Sequence, residues 1–411
     1  WNSGLIEKQL LSYMFRVNYD YNNKYLLTVS GRWDGASQLA EGNKWAFFPS
    51  AALGWRLDQE EFLKDVTWLN QLKFRLGVGV TGNSAIDPYQ TKGAIVSLYY
   101  PFGSALAPGY AASEPLIKDG AVAMANKNLS WEKTTQYNIG LDYSVLNGRI
   151  SGVLDFYTSR TTDLLMAMTI PSLNGYTNTY ANVGKTSNIG VDITLNTVNV
   201  KTRDFEWSTS INAAWQKDKI DELANGKEDD INNNWFIGQA LGVIYGYECG
   251  GLWKEEDAAE MAKFNAKGHS FQAGMVRPID QNGDYKIDPN DDRVIIGHTR
   301  PRWTFGMTNT FTYKNFDLSV MMYGRFDYMV DTGGEWQGGR YMQRKINYYN
   351  ENNKNAEYQK PIYNIGGGDP YYRIVGYKNG SFLKVRNISL GYTFPQTLIK
   401  KWNLSNLKVY V

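Results

Sequence analysis

The sequence predicts an all-β protein, the wall of a transmembrane, antiparallel up-and-down β-barrel with long extracellular loops. Two observations carry this reading: apolar and polar residues alternate over segments longer than ten residues, and the connections between those segments are alternately short and long. Residues 187–219 show the first clearly. Ile189, Val191, Ile193 and Leu195 alternate with Asn188, Asp192, Thr194 and Asn196. After a short polar turn, Phe205, Trp207, Ile211, Ala213 and Trp215 alternate with Glu206, Ser208, Ser210, Asn212 and Gln216. Each arm outlasts the roughly five or six residues of a soluble strand and is long enough to cross a bilayer at a tilt.

Twelve strands are predicted in this way, near 8–19, 25–36, 46–57, 72–82, 131–145, 149–160, 188–200, 205–217, 302–313, 316–327, 382–394 and 406–411. In the second, Tyr25, Leu27, Val29 and Trp33 oppose Thr28, Ser30, Arg32 and Asp34. In the fourth, Leu72, Phe74, Leu76, Val78 and Val80 oppose Lys73, Arg75 and Thr81. The ninth and tenth carry Trp303, Phe305, Met307 and Phe311, then Phe316, Leu318, Val320 and Met322. Connections at 20–24, 58–71, 147–148, 201–204, 314–315 and 395–405 are short or intermediate. Those at 83–130, 161–187, 218–301 and 327–381 are long, and a modest loop around Gln38 to Trp45 takes the place of a long one between the second and third strands. Every second connection therefore lies on one side, as in an outer-membrane barrel with tight periplasmic turns and large extracellular loops. Asn147-Gly148 reads as a two-residue hairpin turn. Within the longest excursion, 254–267 places Ala258, Met261 and Phe264 at helical spacing, a short helix packed on its own loop.

Composition bounds the function. The chain has 411 residues with 14% aromatics, 29 Tyr, 13 Trp and 40 Gly, and no compositional seam divides it into domains. Mean hydropathy is -0.45 and no run of 18 apolar residues offers a spanning helix. A barrel strand hides its apolar residues at alternate positions, so neither fact excludes a membrane protein. A net charge of +2 makes no case for nucleic acid. The single cysteine, Cys249, rules out an intrachain disulfide framework and a cysteine metal cluster and reads as a small turn residue. The chain begins at Trp1 without a signal peptide and is expected to be part of something longer.

Six motifs in order then carry a resemblance. They are Phe62-Leu63-Lys64 with Leu72-Lys73-Phe74-Arg75, Gly79 to Asn83, Asn128 to Gln136, Asn188 to Asp192, Asp280 to Asp284 continuing to Gly297, and Asn379 to Asn387. Together they resemble the C-terminal barrel region of the SusC/RagA class of TonB-dependent outer-membrane transporters of Bacteroidetes, over essentially the whole chain. The resemblance implies that residues 1–411 form one β-barrel domain, part of a 22-stranded wall. The N-terminal plug, the TonB box and the final strands are expected to lie outside it. It implies a multi-pass protein of the bacterial outer membrane that is not an enzyme; no cofactor is expected apart from the calcium ion that the spacing of an acidic loop, described below, suggests. Its implied role is import of a large nutrient, oligosaccharide first and peptide next, energised by the TonB-ExbB-ExbD complex under a SusD-like surface lipoprotein lid. The alternatives are an outer-membrane barrel enzyme or adhesin, and a soluble carbohydrate-binding β protein.

Few residues suggest chemistry. Gly77, Gly79 and Gly82 match a dinucleotide-binding spacing, but the loop that follows offers no helix N-terminus for a pyrophosphate, so they read as small residues of a strand. His269 and His298 share one loop without a hydrolase motif. Asp280, Asn282, Asp284, Lys286, Asp288 and Asp291 fall at positions one, three, five, seven, nine and twelve of a calcium loop, the seventh acting through its carbonyl. Tyr285 replaces the turn glycine and Asp291 the usual glutamate, and the alternative is a solvated acidic turn. Tyr99, Tyr100, Trp235, Phe236, Trp336, Tyr371 and Tyr372 are loop aromatics that either stack on cargo or pack within the loops.

Overall fold

Alternating side chains need a sheet with two unlike faces, and the chain builds one. The computed structural model describes residues 6–92, 94–103, 105–113, 123–171, 178–333, 346–361 and 368–411, the side chains of 94–102 and 105–113 excepted. Twelve strands pair antiparallel in sequence order: β1 (Leu10–Tyr21), β2 (Tyr25–Ala36), β3 (Trp45–Arg56), β4 (Leu69–Asn83), β5 (Glu132–Val145), β6 (Ile150–Thr162), β7 (Lys185–Lys201), β8 (Phe205–Glu222), β9 (Trp303–Tyr313), β10 (Phe316–Phe326), β11 (Phe382–Thr393) and β12 (Lys408–Tyr410). These are the twelve predicted strands. The largest boundary difference is at β8, which runs on to Glu222 rather than ending at 217. The sheet is open, with β1 and β12 as its edges among the described residues.

Register decides what each face is. Leu76, Ile139, Phe156, Val191, Trp215 and Trp303 lie opposite one another from β4 to β9, an unbroken apolar row. Displaced by one residue is Arg75, Gly140, Asp155, Asp192, Ala214, Thr304 and Arg325, a polar row on the other face. The apolar face is exposed or half-exposed, with Leu53, Ile139, Phe156, Phe316 and Ile388 among its bare side chains. Water tolerates no contiguous patch of this extent on a monomer, whereas lipid requires one. No helix among the described residues is long and apolar enough to cross a membrane.

Aromatics mark both borders of this band. Tyr21 and Tyr25 stack at 6.5 Å near the short-turn edge; Tyr13 and Trp45 stack at 5.9 Å near the other. From Tyr25 to Trp33 is eight residue steps, about 27 Å along the strand. A tilt of about 40° reduces this to about 21 Å, close to the ~25 Å apolar band of an outer-membrane barrel. One polar track crosses the outer face and satisfies itself: Thr197 donates to Asn199 (2.9 Å), Asn199 to Thr209 (2.7 Å), and Thr209 and Trp207 to Asn309 (2.7 and 3.0 Å). Lipid offers no alternative partners, so such groups pair internally.

The two edges differ as the connections predict. On one side Tyr21 to Tyr25 and Tyr313 to Phe316 turn within three and two residues. At 146–149 the hairpin differs from expectation. Asn147 and Gly148 do occupy the centre at φ 56° and 78°, closed by Arg149 N–H donating to the Leu146 carbonyl. Leu146 is itself left-handed (φ 55°), which ends the ladder at Val145 and makes a four-residue loop. On the other side the excursions fold. Leu39, Phe48, Ile86, Leu129 and Trp131 form one core there, Phe48 meeting Trp131 edge-on at 5.3 Å. Gly82 makes room for this: a Cβ would lie 2.1 Å from Phe48 Cζ. Epitope tags at Asn147-Gly148 or Lys314-Asn315 are expected to stay hidden from antibody on intact cells, and a tag at Asn225-Gly226 to be labelled; the reverse pattern inverts the topology. Gly366-Gly367, an equivalent site by sequence, lies outside the described residues.

Candidate functional site

The inner face is the polar face of the wall. Its charges are ordered by register. Arg75 of β4 reaches across β5, donating from Nε to Asp142 (2.9 Å) and from Nη2 to both oxygens of Asp155 on β6 (3.0 and 3.1 Å). Gly140 allows the crossing, because a Cβ there would stand 2.6 Å from the Arg75 guanidinium carbon. Asp192 of β7 lies opposite Asp155 and has no cation of its own among the described residues. Asp142 and Asp155 thus divide one guanidinium, Lys73 lies opposite Asp142 in register, and Asp192 stands beside them outside the Arg75 pair. Arg325, Lys384 and Arg386 gather on β10 and β11, with only small residues, Ala214 and Thr304, between the two groups on the row.

The longest excursion forms the rim. Helix α1 (Ala258–Ala266), shorter than its predicted span and preceded by a 3-10 turn at Glu255–Asp257, buries Met261 and Phe264 against Trp253, Phe271, Met275 and Ile287. Arg277 lies 4.6 Å from the Trp253 ring and pairs with Glu260. The next excursion is tied in by Asp369, whose oxygens accept from Val276 N (2.6 Å) and Tyr371 N (2.9 Å); burial pushes its carboxyl up while these bonds pull it down. Tyr371 packs edge-on against Tyr247 at 5.3 Å, and burial pushes its phenol up to about 12.

The acidic loop closes this core. Asp280 accepts from Gly283 N and Tyr285 N, Asn282 from Asp284 N, Asp284 from Lys286 N, and Asp288 from Asn290 N, Asp291 N and the Lys286 ammonium. The ammonium beside it holds the Asp288 carboxyl below its usual range. Tyr285 takes the left-handed backbone (φ 63°) that the pattern reserves for glycine. The donor set is the oxygen-rich kind that hard cations take. Its geometry turns toward backbone amides, and among the described residues no three His, Cys, Asp or Glu side chains converge on one point. The residue that shuts the loop is one the pattern passes over. Asp292, fully buried, accepts from Gln281 N and Asp288 N, both at 2.8 Å. Its neighbour Asp291 stays at the surface.

The other candidates resolve as follows. His269 accepts from Ile287 N at 2.9 Å and stacks on Phe271, while His298 meets the Arg300 carbonyl at 2.8 Å; both are structural. Burial lowers the His269 pKa, in keeping with a neutral acceptor. Cys249 opens a short strand (Cys249–Leu252) rather than a turn, and burial pushes its thiol up, away from reactivity. Gly77, Gly79 and Gly82 sit within β4. Phe236 packs on Tyr245 at 4.7 Å. Trp235 borders a cavity of ≈ 610 Å³, and Tyr372 is exposed. The side chains of Tyr99 and Tyr100, and Trp336, lie outside the described residues.

A wall with a lipid-facing outer surface, a charged inner surface and one elaborated edge defines an outer-membrane β-barrel. Known proteins narrow the class. The TonB dependent receptor-like, beta-barrel family matches over residues 2–410. TonB-dependent receptor P3 of Formosa agariphila is 30% identical over 432 residues, covering 100% of this chain and 41% of that protein. TonB-dependent receptor SusC of Bacteroides thetaiotaomicron is 33% identical over 416 residues, covering 94% and 38%. The structure of the RagAB peptide transporter matches at TM-score 0.77 and 25% identity, over 98% of this chain and 43% of that one. The chain thus belongs to the TonB-dependent receptor-like β-barrel family, is of SusC/RagA type, and spans about two fifths of the length of these relatives.

Proposed function

We propose that this wall serves the TonB-dependent import of a large nutrient across the outer membrane, with a SusD-like lipoprotein as lid and the TonB-ExbB-ExbD complex as energy source. The observation that carries the reading is the asymmetry of the two edges. Turns of two to four residues close much of one edge, whereas the excursions of the other fold into cores around Trp131 and Trp253, which makes a firm platform for a lid. The cargo classes are oligosaccharide and peptide. The RagAB relative is a peptide transporter, which favours peptide more than sequence reasoning did. A deletion strain is expected to lose growth on one defined oligosaccharide or peptide source, and a strain lacking TonB to lose it equally. Normal growth of both strains on every source refutes the reading.

The acidic loop is proposed as a calcium-dependent clamp on that platform. Its support is the donor set together with the free carboxylate of Asp291 and the left-handed Tyr285. A chelator is expected to raise protease cleavage between 218 and 301 and to loosen the lid. If neither changes, the loop is held by its own backbone bonds alone.

A further inference from the structure

Between the acidic and basic sectors of the inner wall lies a recess. Asp192, Ala214, Thr304 and Arg325 follow one another across four strands, so the two charges stand three strand spacings apart, about 14 Å between Cα atoms. Ala214, Thr304 and Gly306 floor a cavity of ≈ 380 Å³ with Asp192 and Asn212 on one side and Tyr323 on the other. Asp192 carries no hydrogen bond or ion pair among the described residues, because the nearby Arg75 is taken by Asp142 and Asp155.

The opposite bank is cationic and aromatic. Tyr323 and Phe382 rings stand 6.0 Å apart, and their cross-strand partners are Lys384 and Arg325 respectively. Arg325 donates from Nε to Tyr323 Oη at 2.6 Å, and Lys384 Nζ lies 5.4 Å from the Phe382 centroid. Arg386 joins them through a bulge: β11 pairs Asn387 with Met321 and Val385 with Met322, leaving Arg386 as the extra residue, its guanidinium carbon 5.9 Å from the Tyr323 ring. No carboxylate pairs with any of the three among the described residues, and Asp327, next but one to Arg325, is turned toward Arg302 and His298. An unpaired anion and three unpaired cations thus face each other across an uncharged floor.

We propose that this recess binds a short dipolar ligand, a peptide segment with free ends whose carboxylate meets Arg325, Lys384 and Arg386 and whose ammonium meets Asp192. Three extended residues span about 10 Å, and the Asp and Arg side chains close the remainder. A neutral sugar leaves both charged banks without partners, and a polyanion meets repulsion at Asp192. The inference rests on the import reading insofar as the inner face lines the cargo path, and it names a substrate class for that path.

The test is equilibrium binding of trialanine, N-acetyl-trialanine and trialanine amide to the whole receptor by calorimetry, at low and high salt. Wild type is expected to bind trialanine at least tenfold more tightly than either blocked peptide, with the preference shrinking in high salt. Asp192→Asn is expected to erase only the preference over the acetylated peptide, and Arg325→Gln with Lys384→Gln only that over the amide. Asp192→Glu and Arg325→Lys, which keep the charges, are expected to restore each preference and so exclude misfolding as the cause. Equal binding of the three peptides, absence of binding, or variants with unaltered preferences overturns the proposal. TonB-dependent growth of the wild-type strain is scored separately, so a failed import reading and an empty recess give different results.

Discussion

Replacing Asp292 with alanine is expected to open the longest excursion while leaving the wall intact. The carboxylate is fully buried and holds the two ends of the acidic loop together, accepting from Gln281 N at one end and Asp288 N at the other. A hydrogen bond to a charged group contributes about 1.5–3 kcal/mol, so losing both costs about 3–6 kcal/mol locally. Ile287, whose amide donates to His269 and whose side chain sits in the Trp253 core, then loses its support. Limited proteolysis is expected to cut between 218 and 301 at least a hundredfold faster, with the heat-modifiable mobility of the barrel unchanged. Asp292→Asn, which keeps one acceptor oxygen, is expected to fall between. Wild-type resistance in Asp292→Ala would show that the Trp253 core alone orders the excursion.

That residue also marks where sequence reasoning stops. The wall was legible because period-two alternation is a local signal repeated in every strand, and because a one-residue slip would turn Ile193 inward and Asp192 into lipid. The rim was not. Its strands are short and pair far along the chain, Val243 with His298 and Leu252 with Val276, and such pairings leave no periodic trace. The twelve-residue count of a calcium loop ends at Asp291 and gives no sign that Asp292, one residue later, accepts from Gln281 N and Asp288 N. The Arg75 pair was half legible: inward positions follow from alternation, but the partners follow only from register and from the absence of a side chain at Gly140. Arg386 did leave a signal. Apolar residues in its strand fall at 383, 385, 388 and 390, and the step of three is the bulge written in sequence.

The second large effect is expected on the outer face. Ile193 is the central residue of β7, flanked on its row by Leu154, Ala213 and Phe305, none of which can pair with a charge. An arginine there sits near the bilayer midplane, where a charged residue on the lipid face of a barrel costs about 2–4 kcal/mol. Snorkelling offers limited relief, since the strand places either border several residues away and the neighbouring row is apolar across the wall. Asn196, three residues along the same strand and on the inner face between Ser151 and Ser210, makes the control: arginine there is expected to change stability by within about 0.5 kcal/mol. Refolding into lipid vesicles across a urea series, read by heat-modifiable mobility, measures both. Ile193→Arg is expected to shift the midpoint well below wild type and Asn196→Arg to leave it in place. Equal shifts would mean that both faces see water, and the wall would then not be a membrane wall at all.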